Sequence, residues 1–158
     1  MIAEPSIANR IAAPSALRGN VAIRDVTGGR ETNPMWVSNV GSAEFEGALV
    51  GSLRSAGMYS VNRQASRFFL TAHLQELNQP FLGFEMTVTA TVNYTLTERA
   101  TGKDVFARTI STPYTAKLAD AFYGPERLKL ANEGAIRANI ARLIDELMAL
   151  GVEGVAVQ

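Results

Sequence analysis

Apolar and polar residues alternate without a break over residues 84–97. Phe84, Met86, Val88, Ala90, Val92, Tyr94 and Leu96 interleave with Glu85, Thr87, Thr89, Thr91, Asn93, Thr95 and Thr97. A period of two over this length predicts a strand with one buried and one wet face, as antiparallel sheets have. The ridge from Phe84 to Leu96 is expected to lie sheltered beneath the helices. "RATGK" then turns the chain, with Gly102 at the permissive position of a hairpin. "DVFARTISTPYTAKL" returns as the partner strand, and Pro113 suits an edge or a bulge.

Two further strands precede this hairpin. In residues 20–26, Val21 and Ile23 are expected on one face, with Ala22, Arg24 and Val26 on the other. In "RFFLTAHLQEL", Phe68, Leu70, Ala72 and Leu74 share a face, which leaves His73 on the wet side with Thr71 and Gln75. Between them the period changes. Phe45, Ala48, Leu49, Ser52, Leu53 and Ala56 recur at helical spacing, Ser42 stands at the expected N-cap, and Gly57 stops the helix. A second helix is expected from Pro125, its stripe formed by Ile136, Ile140, Leu143, Ile144, Leu147 and Leu150, its end at Gly151. At about 25 residues it would be nearly 40 Å long.

The order is β-α-β-β-β-α. One apolar face on the sheet and one stripe on each helix predict an α+β fold. The economical packing is a two-layer α/β sandwich: an antiparallel or mixed sheet of four to five strands with both helices on one face. Residues 1–18 read as a flexible N-terminal linker, 19–151 as a single α/β domain, and 152–158 as a tail or edge strand. A connection of about 16 residues, 27–42, is unusually long for a compact domain. Within it "MWVSNV" suits a short edge strand.

Composition narrows the function classes. A chain of 158 residues, 47% hydrophobic and 19% charged, can bury a real core. Fifteen basic residues balance fifteen acidic ones, so neither nucleic acid nor an anionic surface is the expected partner. Without cysteine there is no disulfide or thiolate site. No run of about 18 apolar residues occurs, so no membrane-spanning helix is expected.

Candidate chemistry is sparse. The strand-to-glycine passage "DVTGGRETNPMW" resembles a phosphate loop, but it carries neither G-x-x-x-x-G-K-[ST] nor G-x-G-x-x-G. The predicted helix also begins well after Gly29, so no helix N-terminus waits for an anion there. Gly28 and Gly29 are expected simply to turn the chain. His73 is the only histidine, and a lone strand imidazole reads as a surface residue. No G-x-S-x-G elbow occurs, and no spacing suits zinc. Glu44/Glu46 and Asp145/Glu146 look like helix-surface charges. No catalytic, cofactor or metal residue is therefore assigned, and no cofactor is expected.

Two features could act by contact. Thr87, Thr89 and Thr91 lie on the wet face of the long strand, which is either a solvated sheet face or a docking surface. Arg30, Met35 and Trp36 lie in the long loop, where the tryptophan either anchors a partner or folds back over the core.

The stretches "NVAIRDVTGGRETNP", "FEGALVGSLRSAGM" and "RFFLTAHLQELNQPFLGFEMTVTATVNYTLTERATGKDVFARTI" resemble the small YajG-type envelope lipoproteins over roughly residues 18–150. Those proteins, and the auxiliary lipoproteins of ABC-type transport systems, are similar in architecture to the N-terminal domain of TolB. The resemblance implies a periplasmic domain without catalysis of its own, tethered through a lipidated cysteine and serving envelope or transport machinery by protein contact. This chain departs from that pattern in having no cysteine. A membrane link would then run only through an anchor preceding Met1, with the alanine- and serine-rich leader as tether. The alternatives are a cytoplasmic protein, self-association, or a small-molecule or lipid-binding module, or a minor enzyme, with a pocket between loop 27–42 and the helices.

Overall fold

The α-helical and β-strand periods resolve, in a computed structural model, into β1 (Val21–Gly28), α1 (Ser42–Ser55), β2 (Phe68–Asn78), β3 (Met86–Glu98), β4 (Asp104–Ala116) and α2 (Gly124–Glu153). The structure describes residues 1–3, 14, 16–29, 39–79 and 83–153. The strands form one sheet in the order β1-β2-β3-β4. β1 and β2 are parallel because α1 crosses between them, and the other neighbours are antiparallel. The sheet is therefore mixed and four-stranded, with β4 at an edge, where Pro113 costs no inner ladder bond.

One face is covered. Phe45, Leu49 and Leu53 of α1 and Ile136, Ile140 and Leu143 of α2 join Phe68, Leu70, Val88, Val92 and Leu96 in a single buried cluster. α1 lies chiefly over β1, and α2 over β3 and β4. Leu17 and Ala3, which precede β1, are buried in the same cluster.

Four expectations need correction. The ridge does not begin at Phe84. That residue sits outside β3, 81% exposed, and Met86 is only half-buried. The alternating pattern runs past the strand because it also fits an extended loop entering the sheet.

The alternation in β1 also breaks. Register slips between Ile23 and Asp25, leaving Arg24 as a bulge that returns Val26 to the core side opposite Ala72. The Arg24 carbonyl accepts instead from Arg63 Nη2 at 3.1 Å.

At α1 the N-cap is Gly41, not Ser42. The Gly41 N–H donates to Glu44 Oε2 at 3.3 Å, so a carboxylate one turn in replaces the expected hydroxyl cap. α2, finally, runs past Gly151 to Glu153, since a glycine near a helix end costs only about 1 kcal/mol.

Gly57 does stop α1 at φ +72°, and Gly102 turns the β3–β4 hairpin at φ +68°. The expected edge strand around "MWVS" lies outside the described residues.

Candidate functional site

The uncovered face of the sheet carries three of the six candidate residues, Thr87, Thr89 and Thr91. Pairing aligns Thr27, His73, Asn93 and Thr109 in one row across all four strands. Thr27 Oγ1 lies 2.8 Å from His73 Nδ1, and Thr109 Oγ1 donates to Asn93 Oδ1 at 2.7 Å. In parallel rows Thr91 meets Ser111 at 3.0 Å and Thr87 meets Thr115 at 2.7 Å. Thr97 Oγ1 donates to Asp104 Oδ1 at 2.8 Å. The period-two pattern causes this arrangement: burying Val88, Ala90 and Val92 turns Thr87, Thr89 and Thr91 outward together.

Thr87, Thr89 and Thr91 are thus brought together on one open face. Arg30, Met35 and Trp36 lie outside the described residues, and the structure does not place them.

His73 is exposed, as its parity requires. Hydroxyl and imidazole at hydrogen-bond distance make two parts of a nucleophile–base arrangement. No third group orienting the ring is recorded among the described residues, and the pair stands open to water. The described residues also hold no group of three or more His, Asp or Glu placed to bind a metal.

Gly28 and Gly29 adopt φ of +78° and +74°. A Cβ on Gly28 would collide with the Leu74 carbonyl, and one on Gly29 with the Val40 carbonyl. These glycines let β1 end tightly against β2 and the incoming loop, which is a steric role.

Two open clefts flank this point. One, of about 520 Å³, is lined by Gly28, Gly29, His73, Leu74, Glu76 and Gln79 among others. The other, of about 370 Å³, lies between Asn39–Val40 and the helices, with Glu44, Lys129 and Asn132 on its walls.

Sequence reasoning missed the polar interior. Asn139 on α2 is fully buried. Its Nδ2 donates to the carbonyls of Ala90 at 3.0 Å and Ile110 at 2.9 Å, while its Oδ1 accepts from the Tyr94 hydroxyl at 2.9 Å. Burial pushes the Tyr94 phenol far above its ordinary range. The signal was a polar residue three positions from Ile136, on the helix's apolar stripe.

Arg127 is the second such group, only 6% exposed. Its guanidinium donates to the carbonyls of Ala121 at 2.8 Å, Phe122 at 3.3 Å and Gly83 at 3.1 Å. Its buried Nε has no partner among the described residues.

No family model matches this chain, and no curated protein does. Solved structures do. Protein XCC0632 of Xanthomonas campestris, of family DUF330, is similar with a TM-score of 0.70 and 13% identity, covering 99% of this chain and 97% of its own. A minor lipoprotein of Acinetobacter baumannii gives 0.53 at 12% identity, over 84% and 94% of the two chains. A PelC dodecamer of Paraburkholderia phytofirmans gives 0.53 at 17% identity, over 92% of each. At these identities the likeness is one of fold. No helix among the described residues is long and apolar enough to cross a membrane.

Proposed function

We propose that this chain is a non-enzymatic domain of the bacterial envelope, a periplasmic accessory lipoprotein of the transport-auxiliary kind, acting by protein contact through its open sheet face. The observation that carries this reading is the chemistry of that face. From Thr87 to Thr97 the outward positions of β3 hold five threonines and an asparagine and no charge. A face that only meets water is usually dressed in lysine and glutamate, whereas depletion of charge marks the centre of an interface. Most of these side chains are already hydrogen-bonded sideways to β4. Covering paired hydroxyls costs little desolvation, which unpaired ones would not allow. Fold-level likeness to a lipoprotein supports the envelope setting as analogy.

A single charge placed in the face tests this. Thr91→Arg is expected to lose the partners that the parent chain recovers from solubilised envelopes, while Glu46→Arg, exposed on α1 across the sheet from that face, keeps them. Equal recovery by Thr91→Arg removes the sheet face from the reading. The natural gene product is also expected in the envelope fraction, and a purely cytosolic product counts against the setting.

A second reading, a small-molecule module, is favoured by the cleft of about 370 Å³ between the loop end and both helices. Such a module would bind its ligand equally well with Arg at position 91.

A further inference from the structure

Four of the eight large apolar side chains left exposed among the described residues lie in two loops at one end of the sheet. Phe84 is 81% exposed, Phe122 89% and Tyr123 69%, with Leu118 beside them in sequence also exposed. They come from two loops, the entry to β3 and the link from β4 to α2, which meet where the sheet ends.

Arg127 holds these loops together. One guanidinium takes the Gly83 carbonyl from the first loop and the Ala121 and Phe122 carbonyls from the second. Met86 also lies against Gly124 across the same seam. A buried cation without a carboxylate is costly, yet the recorded partners of this one among the described residues are carbonyls. Its service is to fix the spacing of the exposed rings.

We propose that this aromatic end is a membrane-contact surface that seats in the interface of a lipid bilayer without net charge. Three features favour lipid over a protein groove. The rings stand on loops, with most of their surface free. Phenylalanine with tyrosine suits an interface whose depth is apolar and whose rim is wet. The exposed charges of these loops show no basic excess: Lys117 stands against Glu85, Asp120 and Glu126, while Arg127 is buried. A rim without basic excess offers nothing to attract an anionic surface, which leaves the apolar depth of an uncharged bilayer as what the rings can use. The inference deepens the envelope reading and rests on it for which membrane is met.

Flotation of the purified chain with vesicles of phosphatidylethanolamine and phosphatidylcholine tests it. Binding is expected, and it persists at about 1 M salt, where screening reaches to ~3 Å. Phe84→Ser, Phe122→Ser and Tyr123→Ser each lower the partition coefficient about tenfold, a step of about 1.4 kcal/mol. These side chains are in water, so the fold survives their loss. Val61→Ser is the control, since Val61 is 86% exposed but lies at the α1–β2 connection; it leaves binding unchanged. Arg127→Met weakens vesicle binding while circular dichroism keeps the parent's helix content.

Any of four results overturns the proposal: no binding by the parent chain, binding that needs anionic lipid and fades with salt, serine variants that bind like the parent, or ring-dependent self-association without vesicle binding. The last would assign the rings to a second copy of the chain. Because flotation uses isolated protein, its failure leaves the partner-capture result with Thr91→Arg standing, and the converse also holds.

Discussion

Asn139 ties α2 to both β3 and β4 through hydrogen bonds inside the core, and its removal should be felt in a specific, non-additive way. Tyr94→Phe deletes the hydroxyl and leaves Asn139 Oδ1 buried without its donor, at a cost of about 1.5 kcal/mol. Asn139→Leu keeps the volume but leaves the Tyr94 hydroxyl unpaired and withdraws an N–H from each of the Ala90 and Ile110 carbonyls; about 3 kcal/mol is expected. In the double variant phenol and amide are both gone, and only the two carbonyls lack their former donors. Its cost should be about 2 kcal/mol, against about 4.5 for the sum, a coupling of about 2.5 kcal/mol.

Urea unfolding followed by circular dichroism measures each corner of this cycle, with unchanged m-values showing that only stability moved. For a chain of this size Asn139→Leu should lower the melting temperature by about 6 to 12 °C. Additivity of the two substitutions within about 0.5 kcal/mol would refute the reasoning, since it would mean that neither partner is left unsatisfied when the other goes.

Three further outcomes are expected. Gly47 sits exposed on α1 with open space where a Cβ would stand, so Gly47→Ala should raise stability by up to about 1 kcal/mol. Gly134 on α2 lies under the Tyr114 ring, and Gly134→Ala should lower stability despite the same helical gain, because overpacking costs about 1–3 kcal/mol; in a Tyr114→Ala background the sign should reverse. The Glu98 carboxyl is held below its usual range by the Thr101 hydroxyl and then by Arg67. A depressed carboxylate contributes stability above its unfolded pKa and loses it as pH falls through the folded value. Denaturation midpoints should therefore decline on the acid side of about pH 4.5, less steeply in Glu98→Gln; parallel curves would refute the contribution.

What could be read from the sequence was whatever burial imposes locally. Phe45 to Leu53 and Ile136 to Leu147 lie on stripes because one side of each helix faces the sheet, and Val88 to Leu96 alternate for the same reason. Such regularities are written into spacing. The Arg24 bulge is not, because one extra residue changes register without changing composition. Nor does alternation mark where a strand stops, which is why Phe84 belongs to a loop.

The long-range polar contacts are further from reach. Asn139 meets Ala90 and Tyr94 across 49 and 45 positions, and Arg127 meets Gly83 across 44; no spacing rule joins them. The site shows the same division. Thr87, Thr89 and Thr91 were legible as a face, whereas the cluster of Phe84 with Phe122 and Tyr123 exists only once two loops are brought side by side. The pair "FY" just before Gly124 was its one sequence trace.

The two proposed surfaces are separated by the geometry of the sheet. β3 runs 13 residues, about 43 Å at the rise of an extended strand, and the aromatic loops lie beyond its first residue. A molecule resting on those loops would stand with its strands steeply inclined to the bilayer and hold the threonine face sideways, towards a neighbour in the same layer. Lipid contact and protein contact would then use different parts of one rigid body, with Arg127 fixing the first and the β3–β4 hydroxyl ladder presenting the second. A conformational signal need not pass between them. Each surface is already formed by local packing, and seating one merely limits the orientations in which the other meets its partner, a gain in effective concentration that no new contact supplies.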